Sequence, residues 1–201
     1  MHPDTVVTIG RQFGAGGLEI GRRLAEALGV PFYDRELLAR AAEASGLAEG
    51  LFEHHDEKPA DAPFFASWGS PYPSAGPSIG QQVCLAQFQA IRDIAAKGAC
   101  VIVGRAADFV LDGRPHLVRV FLHADPAIRA ARVAAREGVS EAEARKLVRT
   151  ADRRRAAFYD YFTDRTWGDV RTYDLCLDAG RVTPEQAVAV IRAFADAAGR
   201  D

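Results

Sequence analysis

The chain has 201 residues, 48% of them hydrophobic and 26% charged, with a formal net charge of −2. This length allows one well-buried α/β core, and the charge argues against a nucleic-acid coat or a polybasic membrane binder. The sequence contains no apolar run long enough to span a bilayer and no signal-peptide pattern, and its three cysteines lack metal-site spacing. These features predict a cytoplasmic protein without nucleic-acid or membrane partners.

The chain begins with a strand–loop–helix unit. Val6–Ile9 is a β-branched run that predicts a strand, and Leu18–Leu28 has apolar residues at helical spacing. Between them, the glycine-rich turn GRQFGAGGLE can point backbone amides at an anion, with the helix dipole adding positive charge. The candidate phosphate-binding residues are Gly14, Ala15, Gly16, Gly17, Leu18 and Glu19. A turn that only packs the helix against the strand fits the same pattern.

This turn departs from the usual triphosphate-binding loop, G-x-x-x-x-G-K-S/T. In that pattern the lysine reaches the β- and γ-phosphates, and the hydroxyl lies on Mg²⁺. We assign Gly17 to the place of the lysine and Glu19 to the place of the hydroxyl. The turn therefore predicts phosphate binding and leaves phosphoryl transfer open.

Strands and helices alternate along the rest of the chain. Further strands are predicted at 30–34, 99–103, 117–122 and 173–178, and helices at 36–44, 47–57, 81–97, from 126, 141–161 and from 184. Asp125 is a suitable N-cap before Pro126, and Ser140 forms a capping box with Glu143. This alternation predicts a parallel sheet covered by helices.

Segment 59–80 is rich in Pro, Ser, Gly and aromatic residues and is too long for a simple connection. It predicts a functional loop or a partner-facing segment. Its aromatic residues could pack on the core instead; if Phe64, Phe65 and Trp68 are exposed, they favour a homodimer.

Polar residues follow directly after several predicted strands. These are Gly10-Arg11, Asp34-Arg35, Gly104-Arg105 and the group His123–Asp125. Ligands bind beyond the carboxyl ends of parallel strands, so we expect an anion site at this edge. Arg105 can grip a phosphate with two N–H bonds, although an ion pair with Asp108 is the alternative.

The densest cationic stretch is 145–155, on a predicted helix that follows another basic helix. Its charged members include Arg149, Asp152, Arg153 and Arg155, and the preceding helix carries Arg129, Arg132 and Arg136. Two such helices over the strand-end cleft would form a lid that neutralises phosphates and excludes water. A solvated basic face is the alternative.

The landmarks Ile9–Gly21, Pro31–Asp34, Val101–Arg105 and Tyr173–Leu177 resemble, in order, those of the cytidylate-kinase-like proteins, relatives of bacterial cytidylate kinase among the P-loop nucleoside-monophosphate kinases. The resemblance implies a three-layer α/β/α fold with a five-stranded parallel sheet. It also implies a core at 1–34, 99–128 and 173–201, a substrate-binding insertion at about 35–98 and a helical lid at about 129–170.

The resemblance further implies roles for individual residues. Asp34 and Arg40 match the monophosphate site, and Arg105 matches the arginine that holds the substrate phosphate. In the lid, Asp152 matches a residue that contacts the sugar or base and Arg155 one that contacts phosphates. Arg129 and Arg132 match basic positions on the ATP side of the lid. The implied cofactors are ATP and Mg²⁺, with CMP or dCMP as the first acceptor.

The chain departs from cytidylate kinase proper at Gly17 and Glu19, and at Val103, where an aspartate is expected. We predict that the lysine's charge is replaced by Arg11 or by a lid arginine. Glu19 or Asp34 could orient a metal-bound water. The catalytic candidates are Arg11, Arg105, Arg149 and Arg155. Three alternatives stay open: a different small acceptor, a catalytically silent nucleotide-binding protein, and a plain scaffold.

Overall fold

The computed structural model of the protein describes residues 1–44 and 79–198 of the 201-residue chain. In these ranges the strands are β1 (Val6–Arg11), β2 (Phe32–Tyr33), β3 (Cys100–Val103), β4 (Leu117–His123) and β5 (Leu175–Asp178). The α-helices there are α1 (Gly17–Leu28), α2 (Arg35–Ala44), α3 (Ile79–Ala96), α4 (Ala107–Val110), α5 (Pro126–Glu137), α6 (Glu141–Thr163) and α7 (Pro184–Ala198). The predicted helix 47–57 and the aromatic residues of segment 59–80 lie outside the described residues, so the homodimer stays a prediction.

The described strands form one five-stranded parallel sheet in the order β2-β3-β1-β4-β5. The central strand is β1, in which Ile9 pairs with Val103 of β3 and Val120 of β4. Because the strands are parallel, the residues that follow β1, β3 and β4 meet at one edge. The parallel sheet predicted from the sequence is confirmed.

Helices cover both faces of the sheet. On one face, α1 and α7 pack their apolar residues on Val7, Val101 and Val120. On the other face, α3 and α4 pack on Val6 and Ile102. Alternate residues of each inner strand therefore enter different cores, which explains why β1 and β3 read as continuous apolar runs. The result is a three-layer α/β/α arrangement.

Helices α5 and α6 begin as predicted. Asp125 caps α5 by accepting from the amide of Ala127 at 2.7 Å, and Ser140 with Glu143 forms the capping box of α6. The two helices pack through a small apolar cluster that includes Val133 and Val148. Helix α4 is only four residues long, too short for a periodic signal, and was not predicted. In the described ranges, no helix is both long and apolar enough to cross a membrane.

Candidate functional site

The glycine-rich loop connects β1 to the N-terminus of α1. Gly14 and Gly16 have φ of +81° and +83°, in the left-handed region that favours glycine. Gly16 occupies the N-cap position without a capping side chain, and the first backbone bond runs from the amide of Ile20 to the carbonyl of Gly16 at 3.0 Å. Among the described residues, no group accepts from the amides of Gly17 or Leu18. These free amides, together with the helix dipole, make the loop a candidate anion cradle.

The side chain of Arg11 crosses this cradle. An added Cβ on Gly17 would lie 2.7 Å from Cγ of Arg11, so the aliphatic stem passes directly over the start of α1. An added Cβ on Gly104 would overlap Nη1 of Arg11, so the guanidinium packs on the backbone that follows β3. Arg11 thus spans the gap between the helix N-terminus and the end of the neighbouring strand.

Arginine charges converge where Arg11 ends. Burial lowers the pKa of Arg11 from 12.5 to about 9, with further lowering by Arg155 and Arg105 and an opposing effect of Asp34. Burial and the charge of Arg35 lower the pKa of Arg105 to about 10. Among the described residues, Arg11 and Arg105 form no ion pair with a carboxylate within 4.0 Å. A half-buried group of like charges without carboxylate partners in the described residues is arranged to receive an anion.

Arg105 is held in a strained conformation. Its φ is +58° and that of Ala106 is +51°, both left-handed for residues that carry a Cβ. The guanidinium lies 5.6 Å from the ring centroid of Phe158 on α6. Non-glycine residues held this way cost about 1–3 kcal/mol and cluster at functional sites. The strain directs Arg105 toward α6 rather than along the sheet.

The alternative ion pair between Arg105 and Asp108 is wrong. Asp108 is buried and accepts a hydrogen bond from the hydroxyl of Tyr159 at 2.6 Å. Burial raises the pKa of the Asp108 carboxyl, and the Tyr159 bond opposes that shift. Asp108 therefore joins α4 to α6 and leaves Arg105 free for another partner.

Asp152 and Arg129 hold the backbone of Phe13 in the loop. The amide of Phe13 donates to Oδ1 of Asp152 at 2.7 Å, and its carbonyl accepts from Nη1 of Arg129 at 3.2 Å. The same Nη1 contacts Oδ2 of Asp152 at 2.5 Å. We call this three-residue arrangement the Phe13 clamp. Asp152 and Arg129 were expected to face the sugar and ATP, whereas here both are engaged by the loop.

Arg155 completes the connection between α6 and the loop. Its Nη1 donates to the carbonyl of Arg11 at 3.1 Å, and its guanidinium lies 5.3 Å from the ring centroid of Phe13. Arg136 of α5 lies on the same ring at 5.1 Å. The basic helices therefore contact the loop, as expected of a lid, but through its backbone and the Phe13 ring.

Arg132 and Arg149 do not join the arginine cluster. Arg132 donates to the carbonyl of Ala179 after β5 at 2.9 Å. Arg149 is exposed on α6. Arg40 is part of α2, and its side chain lies outside the described residues. The cluster is thus built by Arg11, Arg105 and Arg155.

The two candidate metal carboxylates differ. Glu19 is exposed and pairs with Arg23 at 2.7 Å on the outer side of α1. Oδ1 of Asp34 accepts from two amides at 3.1 Å and so caps α2, beside the Arg11 charge. No cluster of three or more metal-binding side chains occurs in the described ranges. Of these two carboxylates, Asp34 is the one whose charge acts on Arg11.

One sequence assignment needs correction by a single position. The residue directly after Gly17 is Leu18, so Leu18 and not Glu19 stands in the hydroxyl's place of the usual pattern. The strand-end rule selected Arg35 together with Asp34, without giving Arg35 a role of its own. In the structure Arg35 lies two residues after the end of β2, and its charge acts on Arg105.

Comparison with known proteins decides the family. A family model described as the cytidylate kinase-like family matches residues 6–181. The chain belongs to the cytidylate kinase-like family. Among similar proteins, the cytidylate kinase of Methanopyrus kandleri is 29% identical over 202 residues, covering 95% of this chain and 93% of its own. That of Methanothrix thermoacetophila is 28% identical, covering 94% and 99%.

Solved structures agree with the fold. An uncharacterized protein from Eubacterium ventriosum matches with a TM-score of 0.75 and 29% identity, over 96% of this chain and 98% of its own. A gluconokinase from Sinorhizobium meliloti matches with a TM-score of 0.56 and 18% identity, over 98% and 94%, which bears on the fold alone. This member of the cytidylate kinase-like family has the three-layer α/β/α fold of P-loop kinases.

Proposed function

We propose that the protein transfers the γ-phosphoryl group of ATP to a nucleoside monophosphate, with CMP or dCMP as the first acceptor. The observation that carries the proposal is the convergence of Arg11, Arg105 and Arg155 beside the free amides of a glycine-rich helix N-terminus. Family membership and the names of the relatives support nucleotide phosphorylation. Their identity of 25–29% is too low to fix the acceptor.

The chemistry requires positioning and charge stabilisation rather than a covalent intermediate. The amides of Gly17 and Leu18 bind ATP phosphate oxygens, and Arg11, Arg105 and Arg155 stabilise the charge that spreads over the transferring group. Arg105, with Arg35 beside it, holds the acceptor phosphate. Insertion 35–98, with Arg40, binds the acceptor, and region 129–170 covers the ATP side.

Asp34 suits a water-mediated Mg²⁺ site, because Mg²⁺ is usually held by one or two carboxylates, several waters and the substrate phosphates. The α2 amides bind Oδ1 of Asp34, and no described residue donates to its second oxygen, which is the one proposed to accept from a water. Glu19 does not suit this role, since Arg23 holds it away on α1. Bound Mg²⁺ would neutralise phosphate charge.

The second candidate is a nucleotide-binding protein without turnover. Gly17 and Leu18 favour it, because they stand where the usual pattern has its lysine and hydroxyl. A kinase acting on a different small acceptor is the remaining enzymatic alternative.

The test is an ADP-release assay with ATP and Mg²⁺ against CMP, dCMP, UMP, AMP, GMP and non-nucleotide alcohols, with the product identified by phosphorus NMR. We expect turnover with CMP or dCMP and formation of the diphosphate. Calorimetric binding of ATP and CMP without turnover would favour the silent binder. Binding of neither nucleotide would refute both candidates.

A further inference from the structure

We propose that Arg11 is the phosphate-binding cation of this loop, and that Gly17 is a glycine because a side chain there would fill the slot in which Arg11 reaches Gly104. The proposal rests on the proposed function, which needs such a cation, and it selects Arg11 over the lid arginines. The positive charge is supplied from the end of β1, instead of from the first turn of α1.

The conformation of Gly17 gives the first argument. Gly17 is the first residue of α1 and is absent from the left-handed residues of the chain, so its backbone does not require glycine. The three atoms nearest to a Cβ at this position all belong to Arg11: Cγ at 2.7 Å, Cβ at 2.9 Å and Cδ at 3.5 Å. A lysine at position 17 would therefore overlap the Arg11 side chain, so the two side chains cannot occupy this place together.

The surroundings of the guanidinium give the second argument. It packs on Gly104, which has a φ of +88° and leaves room for it between the ends of β1 and β3. In the described part of the chain, no acceptor for the N–H groups of Arg11 lies within hydrogen-bond distance. A guanidinium carries five donors, and leaving them unpaired where the side chain is half-buried is costly. Oxygens of a polyphosphate would satisfy them.

The lid arginines are less suited to this role. Arg155 donates to the Arg11 carbonyl at 3.1 Å and lies on the Phe13 ring, so it positions the loop. Arg149 is exposed. Arg11 alone combines a course through the cradle with unengaged donors.

The first experiment isolates the charge. Arg11→Met and Arg11→Lys both keep an aliphatic stem in the slot, and Arg192→Met removes an exposed α7 arginine as the matched control. Calorimetry measures affinity for tripolyphosphate and ATP, and a coupled assay measures kcat. Charged hydrogen bonds of this kind are worth a factor of about ten or more in affinity. We expect a loss of that size for Arg11→Met, a smaller loss for Arg11→Lys, and wild-type affinity for the control.

The second experiment tests the slot with a double-mutant cycle. Gly17→Ala should displace Arg11 and weaken tripolyphosphate binding. Arg11→Gly removes all three of the atoms nearest to the new Cβ, so Gly17→Ala should cause little further loss in that background. If the double variant lost tripolyphosphate affinity by the product of the two single-variant factors, the two substitutions would act independently and the slot would be refuted.

The outcomes separate this proposal from the kinase proposal. Tripolyphosphate binding by the wild type without turnover would refute the kinase, while the variants would still decide the role of Arg11. Arg11→Met binding within about twofold of wild type would overturn the present inference even if turnover is found. Failure of the wild type to bind tripolyphosphate would also overturn it.

Discussion

The Phe13 clamp can be broken by one isosteric substitution, Asp152→Asn. The asparagine oxygen can still accept from the Phe13 amide, so the variant keeps the loop bond. What it loses is the charge opposite Arg129, a side chain only 7% exposed that contacts Asp152 at 2.5 Å. The change therefore isolates the ionic part of the clamp.

The expected loss of stability is large, because it leaves a buried arginine without its partner. Removing one member of a buried pair costs about 3–5 kcal/mol. Arg129 keeps two bonds to carbonyls, of Ala124 and Phe13, and Asp152 is 17% exposed, so we expect the lower end of that range. For a chain of this size about 3 kcal/mol corresponds to a fall in Tm of roughly 6–12 °C.

Urea unfolding and thermal melting measure the effect, with Glu141→Gln as the matched control. Glu141 also contacts an arginine, Arg145, at 2.5 Å, but both side chains are more than half exposed. Solvent screening makes such surface pairs nearly neutral, so the control should resemble wild type. If Asp152→Asn destabilised the protein no more than the control, the clamp would not be a determinant of stability.

Three further changes test other parts of the site. Arg105→Met should raise the KM for the acceptor by about 10-fold or more, because it removes a charged phosphate contact. Steady-state kinetics measure this effect, and an unchanged KM would contradict the prediction. Gly14→Ala should destabilise the protein more than Gly138→Ala. Both glycines are left-handed, but of the two only Gly14 would place a Cβ against a carbonyl oxygen, at 2.8 Å. Equal urea midpoints for the two variants would refute this steric argument. Because burial raises the folded-state pKa of Asp108 above its ordinary 3.8, ionisation favours unfolding, and stability from this group falls as pH rises through the folded pKa. Asp108→Asn should therefore gain stability relative to wild type as the pH rises above the ordinary pKa of 3.8, and a pH-independent difference in unfolding free energy would exclude that coupling.

Features set by neighbouring residues could be predicted from the sequence. The capping box of Ser140 and Glu143 involves groups three residues apart, so its geometry follows from the helix itself. The strand-end rule placed Arg11 and Arg105 at one edge because parallel strands share a direction. Predicted strand bounds were less accurate at β2, which pairs through only two residues at the sheet edge.

Features that depend on distant partners could not be predicted. Helical spacing places Asp152 and Arg155 on adjacent parts of α6, but it does not say which backbone they meet. Asp152 meets the amide of Phe13, and Arg155 the carbonyl of Arg11, both far away in the chain. Arg132, on the preceding helix, likewise donates to a backbone carbonyl, that of Ala179 after β5. The sequence pattern predicts a single lid of phosphate-binding arginines, whereas in the structure its residues contact different parts of the protein.

The division of these arginines has an electrostatic reason. Arg129 has a carboxylate and two carbonyls as partners, so its burial is compensated within the protein. Arg11 and Arg105 lack such compensation in the described residues, and their mutual repulsion opposes the folded state. The Phe13 clamp fixes the loop against that repulsion without neutralising it. The uncompensated charge therefore remains available to an anion, which would bind more strongly here than at arginines already paired with carboxylates.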